Sequence, residues 1–260
     1  MVGLILFVVS ALPVFLLGKY IYNKDKNKEP VEILIKLFLG GILSCFLVLI
    51  VSSILGLIFP ILSAEHETLN LLELIFYVFV GVALVEECCK WIFVYKISYN
   101  DKHFEEIYDM IVYSVFVALG FAFFENLLYV FQGGIGTGIM RAILAVPGHA
   151  CDGVFMGYYL GLSKLNLLKG NNSLAKKNMI LSILVPTLMH GIYDYCLFTG
   201  NIFFLIIFLI FVVCIDIKTI KRVKKIASEN RKMKYEDNYC PICGHIVESD
   251  FCPKCGRKNN

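Results

Sequence analysis

Long apolar runs recur along the whole chain, and the short segments between them carry lysine at every second interval. Runs at about 2–18, 31–62, 70–96, 106–131, 139–164, 178–198 and 201–217 each reach the roughly 17 residues needed to cross a hydrocarbon core of about 30 Å. Of the 260 residues, 58% are hydrophobic and 17% charged, well above the apolar share of a soluble domain. The expected fold class is therefore an all-α polytopic membrane protein with about seven transmembrane helices. The first run has no basic residue ahead of it, and Lys19 follows it. It reads as a retained span rather than a secretory signal.

Charge orients these spans. Lys19, Lys24, Lys26 and Lys28 crowd the first connection, Lys96 and Lys102 the third, and Lys164, Lys169, Lys176 and Lys177 the fifth. The alternate connections "SAEHET", "QGGIGTG" and "TGN" hold no Lys or Arg. The positive-inside rule then places the lysine loops and the C-terminus in the cytoplasm and the N-terminus outside, with the cell membrane as the expected location. Domain organisation follows as a helical domain over 1–217 with its core at 70–198, a basic juxtamembrane linker over 218–239, and a compact unit over 240–256.

In the linker, Ile220, Val223 and Ile226 fall at helical spacing among lysines. A solvated juxtamembrane segment is the favoured reading, contact with anionic lipid the next, and nucleic acid the least supported partner. The compact unit reads "CPICGHIVESDFCPKCG", a C-x2-C-x8-C-x2-C pattern. Two such knuckles present four thiolates tetrahedrally, so Cys240, Cys243, Cys252 and Cys255 are expected to bind a structural Zn2+ as a zinc ribbon, kept reduced by the cytoplasm. A closed site of this kind folds a small unit and performs no chemistry itself, although it can present a surface to a cytoplasmic partner. The other six of the ten cysteines lie in apolar spans, which excludes a disulfide framework.

The stretch "FVGVALVEECCKWIFVY" puts Glu86, Glu87 and Lys90 at membrane depth. Each charge at a helix centre costs roughly 2.5–3.5 kcal/mol. An ion pair between Glu86 and Lys90, at i,i+4, accounts for two of them. Glu87 points about 100° away and needs another partner. Later spans supply candidates: Glu125 and Asn126 in "FAFFEN", His149 and Asp152 in "VPGHACDG", and His190 and Asp194 in "VPTLMHGIYDY". Each His–Asp pair shares one helix face. Most of these residues fall in the middle third of their spans, whereas Glu125 comes out about 9 Å from the outer end. Pro147 and Pro186 are expected to kink their spans, and Gly153, Gly157 and Gly161 to form a ridge for close helix packing.

Taken in order, these residues resemble the PrsW family of intramembrane proteases. "EECCK" matches E-E-x-x-K, "FAFFE" matches F-x-x-x-E, "GHACDGVFMGYYLG" surrounds His149, and "HGIYDY" matches H-x-x-x-D. The family is in turn similar to the CAAX prenyl endopeptidases. The resemblance implies site-one cleavage of a membrane-bound protein, in the best-known case an anti-sigma factor, and it implies no assured role for Asp152. The zinc ribbon departs from the minimal family pattern.

Hydrolysis within a bilayer needs an activated water, a proton donor for the leaving amine and stabilisation of an oxyanion. The expected catalytic set is Glu86, Glu87, Lys90, Glu125, His149, His190 and Asp194. In one version Glu86 or Glu87 is the general base, assisted by Glu125. In another, His149, His190 and a carboxylate hold a catalytic divalent metal such as Zn2+. The competing classes are a proton-coupled transporter or channel built on the same relay, and a scaffold that displays the ribbon.

Overall fold

The computed structural model describes residues 2–101, 103–229 and 251–255; Cys240, Cys243 and the end of the basic linker lie outside the described residues. Eight α-helices follow in chain order: α1 Val2–Lys24, α2 Val31–Ile58, α3 Leu71–Phe76, α4 Val85–Ser98, α5 Ile107–Ile143, α6 Ala145–Leu168, α7 Asn172–Phe198 and α8 Ile202–Glu229. Two single 3₁₀ turns, Pro60–Ser63 and His66–Thr68, join α2 to α3. Of the cysteines assigned to the ribbon, Cys252 is buried and Cys255 exposed. The six cysteines in the spans are all unbridged thiols.

Helix starts are set by side chains that satisfy the otherwise unpaired first N–H groups. Asn70 Oδ1 accepts from the backbone of Leu72 and Glu73, while Glu73 accepts from the Asn70 N–H at 2.9 Å. Asp109 Oδ2 accepts from the Glu105 and Glu106 N–H groups at 2.8 and 2.7 Å. Asn171 Oδ1 caps α7 through Leu174.

The centre of the bundle is α5, which packs against α1, α2 and α6, and α7 packs on the far side of α6. Its first half is almost wholly buried, with Met110, Ile111, Val112, Tyr113 and Val115 inaccessible. Close approach here depends on glycine. A Cβ on Gly153, Gly157 or Gly161 would run into Val115, Ile111 or Ile107 of α5, so the ridge on α6 is a packing surface. On the other side of α5, Gly41 of α2 and Gly120 of α5 each face the partner helix's backbone.

The outside is as apolar as the inside. Leu4, Phe15, Leu49, Leu57, Ile202 and Ile210 are each at least half exposed, along with many similar neighbours, a surface that water does not tolerate at this extent. Among the described residues, Gly3–Lys24, Val31–Ile58, Ile107–Leu168, Asn172–Phe198 and Ile202–Glu229 are long and apolar enough to cross a membrane. The chain is a multi-pass, all-helical membrane protein.

Two of these stretches need closer reading. Ile107–Leu168 has 62 residues, about 93 Å of helix at 1.5 Å per residue, or roughly three bilayer cores. It therefore has to reverse. Gly134 is where it does so, with φ 76° and ψ −168°, a conformation a side chain would oppose. Arg141 hydrogen-bonds Asn126 and Gly138 abuts Val130, two pairs placed symmetrically about Gly134. The limb 135–143 thus folds back along the end of α5. The expected span 70–96 is instead assembled from α3, a π-helical segment Tyr77–Leu84 and α4, which follow one another without a loop.

The expected span 139–164 is broken at Leu144, between α5 and α6, and Pro147 occupies the first turn of α6, where its missing N–H would have had no partner in any case. Pro186 does lie inside α7.

Candidate active site

Four helices deliver polar side chains to one place. Glu86, Glu87 and Lys90 come from the first two turns of α4, directly after the π segment. Glu125 and Asn126 come from α5, His149 and Asp152 from the start of α6, and His190 and Asp194 from the second half of α7.

Glu87 and Lys90 form the buried floor, with relative exposures of 0% and 1%. Glu87 Oε1 accepts from Lys90 Nζ at 2.7 Å and lies 2.9 Å from His190 Nδ1. Lys90 Nζ stands 3.5 Å from Glu86 Oε2, 3.3 Å from His149 Nδ1, and 4.0 Å above the centroid of the Phe121 ring. The nearest partner of Lys90 is therefore Glu87 at i,i+3, followed by His149 and then Glu86. The residue left without a partner by the helical ion-pair pattern turns out to be the most heavily engaged.

Each histidine is gripped from both sides. The second nitrogen of His190 lies 3.2 Å from Asp194 Oδ2 and 3.8 Å from Glu86 Oε2. His149 Nε2 lies 2.9 Å from Glu125 Oε2. An ammonium can only donate and an ionised carboxylate only accept. This assigns the His149 proton to Nε2. The two rings meet edge to face with centroids 5.5 Å apart.

A cavity of about 380 Å³ opens beside them. Glu86, Glu125, His149, Asp152, His190 and Asp194 line its polar side, and Met140, Leu144, Phe211 and Ile215 its apolar side. Glu87 and Lys90 lie behind that wall. All seven sequence-predicted residues are thus brought together, including Glu125, whose apparent distance from the others disappears once the helices pack.

Sequence reasoning left out two members of the cluster. Asp152 was seen to share a face with His149 but was given no role; here it joins Glu87, His149 and His190 in a buried group whose ligand atoms all lie within 4.8 Å of one another. Arg141 was passed over. Its Nη2 donates to Glu125 Oε2 at 2.8 Å, its Nε donates to Asn126 Oδ1 at 2.6 Å, and its guanidinium stacks 4.2 Å from the Tyr129 centroid. The signal was present, since Arg141 is a lone cation at the span end that the charge rule assigns to the outside.

Five carboxylates meet only two fixed cations here, Lys90 and Arg141. Glu86 Oε2 and Glu87 Oε2 are buried with no hydrogen-bond donor. Two imidazoles and two carboxylates within 4.8 Å form a donor set suited to Zn2+ or a related divalent ion, and the excess of negative charge favours one. The residues fit a metal.

The description "PrsW family intramembrane metalloprotease" matches residues 29–216. The chain belongs to the PrsW family. It is 35% identical to the Protease PrsW of Oceanobacillus iheyensis over 221 residues, covering 84% of this chain and 94% of that protein. It is 33% identical to the Protease PrsW of Bacillus subtilis, covering 82% and 93%. Against the Protease PrsW of Clostridioides difficile it is 30% identical, covering 88% and 94%. No solved structure matches the chain. All the residues of the cluster fall inside the stretch matched to PrsW, and the cysteine-rich C-terminus falls outside it. As a PrsW protein the chain is an intramembrane endopeptidase acting on membrane-bound substrates, and the transporter reading is not favoured.

Proposed function

We propose that Glu86, Glu87, Lys90, Glu125, His149, Asp152, His190 and Asp194 form the catalytic centre of this endopeptidase, with Glu86 as general base. Glu86 is the glutamate that faces the cavity, and its Oε2 lacks a donor. It takes a proton from the attacking water and returns it to the leaving amine, so one carboxylate serves both halves of the reaction. Glu87 faces away from the cavity and fixes Lys90 and His190. Lys90, buried between both glutamates, keeps their charges compatible and holds His149 Nδ1. Asp194 orients His190 from the other side, and Arg141 holds Glu125 against His149.

Glu87, His149, Asp152 and His190 would hold a divalent ion, for which Zn2+ is the best-suited candidate. A bound ion would supply Lewis-acid activation of water and of the scissile carbonyl. A histidine nitrogen that ligates an ion must give up its proton, so ion uptake there would release protons. The observation that carries the reading is the convergence of four buried ligands within 4.8 Å, beside a cavity walled by Glu86.

The rest of the proposed molecule follows its charge pattern. The chain crosses the cell membrane seven times with the N-terminus outside. Residues 1–217 form the proteolytic domain around a 70–198 core, 218–239 form a basic cytoplasmic juxtamembrane linker, and 240–256 form a ribbon holding Zn2+ on Cys240, Cys243, Cys252 and Cys255. The ribbon offers its surface to a cytoplasmic partner. The substrate is a membrane-anchored regulatory protein, for which an anti-sigma factor is the family precedent.

The test uses purified protein in proteoliposomes with a membrane-anchored reporter substrate. Glu86→Gln is expected to insert normally and to lose cleavage. Wild-type cleavage rates in Glu86→Gln would overturn the assignment.

A further inference from the structure

A second acidic cluster lies away from the catalytic cavity, where the connection between α1 and α2 meets the start of α5. Asp25, Glu29 and Asp109 each offer a ligand oxygen within 4.8 Å of the others. All three are buried, with relative exposures of 4%, 4% and 1%. No ion pair to any of them occurs among the described residues. Lys28, next to Glu29 in sequence, donates to the Tyr22 carbonyl and lies over the Tyr22 ring, making no ion pair with the three acids.

Their oxygens are used unevenly. Asp25 Oδ1 accepts from the Asn27 N–H at 3.1 Å, and Asp109 Oδ2 caps α5 through two backbone N–H groups. Glu29 Oε2 accepts from the Tyr113 hydroxyl. The second oxygens of both aspartates, Asp25 Oδ2 and Asp109 Oδ1, are buried without any hydrogen-bond partner.

We propose that Asp25, Glu29 and Asp109 bind a hard divalent cation of the Mg2+ or Mn2+ type. Oxygens around such an ion, at about 2.1–2.5 Å from it, stand about 3–5 Å apart, the spacing found here. The two unused aspartate oxygens supply ligands with no competing donor. All-oxygen donors select Mg2+, Ca2+ or Mn2+ over softer ions. Bound there, the ion ties the α1–α2 connection to the capped first turn of α5, the helix on which α1, α2 and α6 all pack. This inference does not depend on the catalytic reading.

The test measures Mn2+ binding to the full-length protein in detergent. Zn2+ is first supplied only in the amount that the histidine and cysteine sites take up, because an excess would compete with Mn2+ for the oxygen site. Wild type is expected to bind one more Mn2+ per chain than the D25N/E29Q/D109N variant, and its unfolding midpoint is expected to rise with Mn2+ where the variant's does not. Glu29→Gln alone keeps the Tyr113 hydrogen bond and serves if the triple variant fails to fold. Its Mn2+ dissociation constant should weaken by at least the roughly tenfold that losing even an outer-shell partner costs. Equal Mn2+ stoichiometry and affinity in wild type and Glu29→Gln would overturn the proposal.

Discussion

The molecule holds two buried acid clusters, and they solve the same electrostatic problem in opposite ways. Around the cavity, carboxylates are interleaved with bases: Arg141, Glu125, His149, Lys90, Glu87, His190 and Asp194 form an unbroken run of contacts of 3.3 Å or less. At Asp25, Glu29 and Asp109, acids meet acids. An interleaved network offsets much of its own charge, and protons can pass along it from group to group. A cluster of one sign has no such freedom and calls for something from outside the chain. The difference separates a place built to transfer protons from one built to be held.

The sharpest way to break the comparison is to remove the base from the interleaved network. Glu86→Gln should cut the single-turnover cleavage rate by about 10²–10⁴-fold, the usual contribution of a general base, with wild-type membrane insertion. His149→Ala/His190→Ala should abolish cleavage and remove metal measured by elemental analysis, while Cys240→Ser/Cys243→Ser should lower zinc content and spare cleavage. Arg141→Lys keeps the charge but loses the forked geometry, and should lower kcat about 10–100-fold by loosening Glu125 and with it His149.

Neutralising one acid in each cluster should then give opposite signs. Glu87→Gln leaves Lys90 buried without its closest counter-charge and should destabilise by about 3–5 kcal/mol in denaturation experiments. Glu29→Gln, in chelator, removes a like charge and should slightly stabilise. Both changes destabilising in chelator would erase the distinction. Ser182→Ala, away from both clusters, removes the 2.8 Å bond from Trp91 Nε1; it should cost about 1 kcal/mol and leave cleavage unchanged.

Much of this was readable from residue order alone. Apolar runs and lysine placement announce the membrane helices, because lipid leaves few choices for a backbone. The ionisable residues within those runs announce a shared interior, because none is tolerable against lipid. What order does not convey is which atoms meet. Helix geometry favoured Glu86 as the partner of Lys90, yet packing against α7 brings His190 to Glu87 and draws Lys90 with it. Glu125 looked too shallow because depth was counted along isolated straight helices. The reversal was legible, since Gly134 lies in the connection "QGGIGTG" between two expected spans, but not that this turn brings Arg141, at the outer edge of the next span, back toward the cavity. The cluster at Asp25 escaped notice because its members lie in a loop and at a helix start, where acids are ordinary.

The π-helical segment ahead of the paired glutamates has a consequence for how this chain can change length. Its i→i+5 bonding stores an extra residue within an otherwise α-helical rod. Removing one residue between Tyr77 and Leu84 would tighten that segment to ordinary α-helix while leaving the helix faces on either side nearly as they are. The same deletion in α4 would swing everything beyond it by about 100°. The stretch before Glu86 is thus a place where insertions and deletions can be absorbed, whereas the spacing from Glu86 to Lys90 admits none.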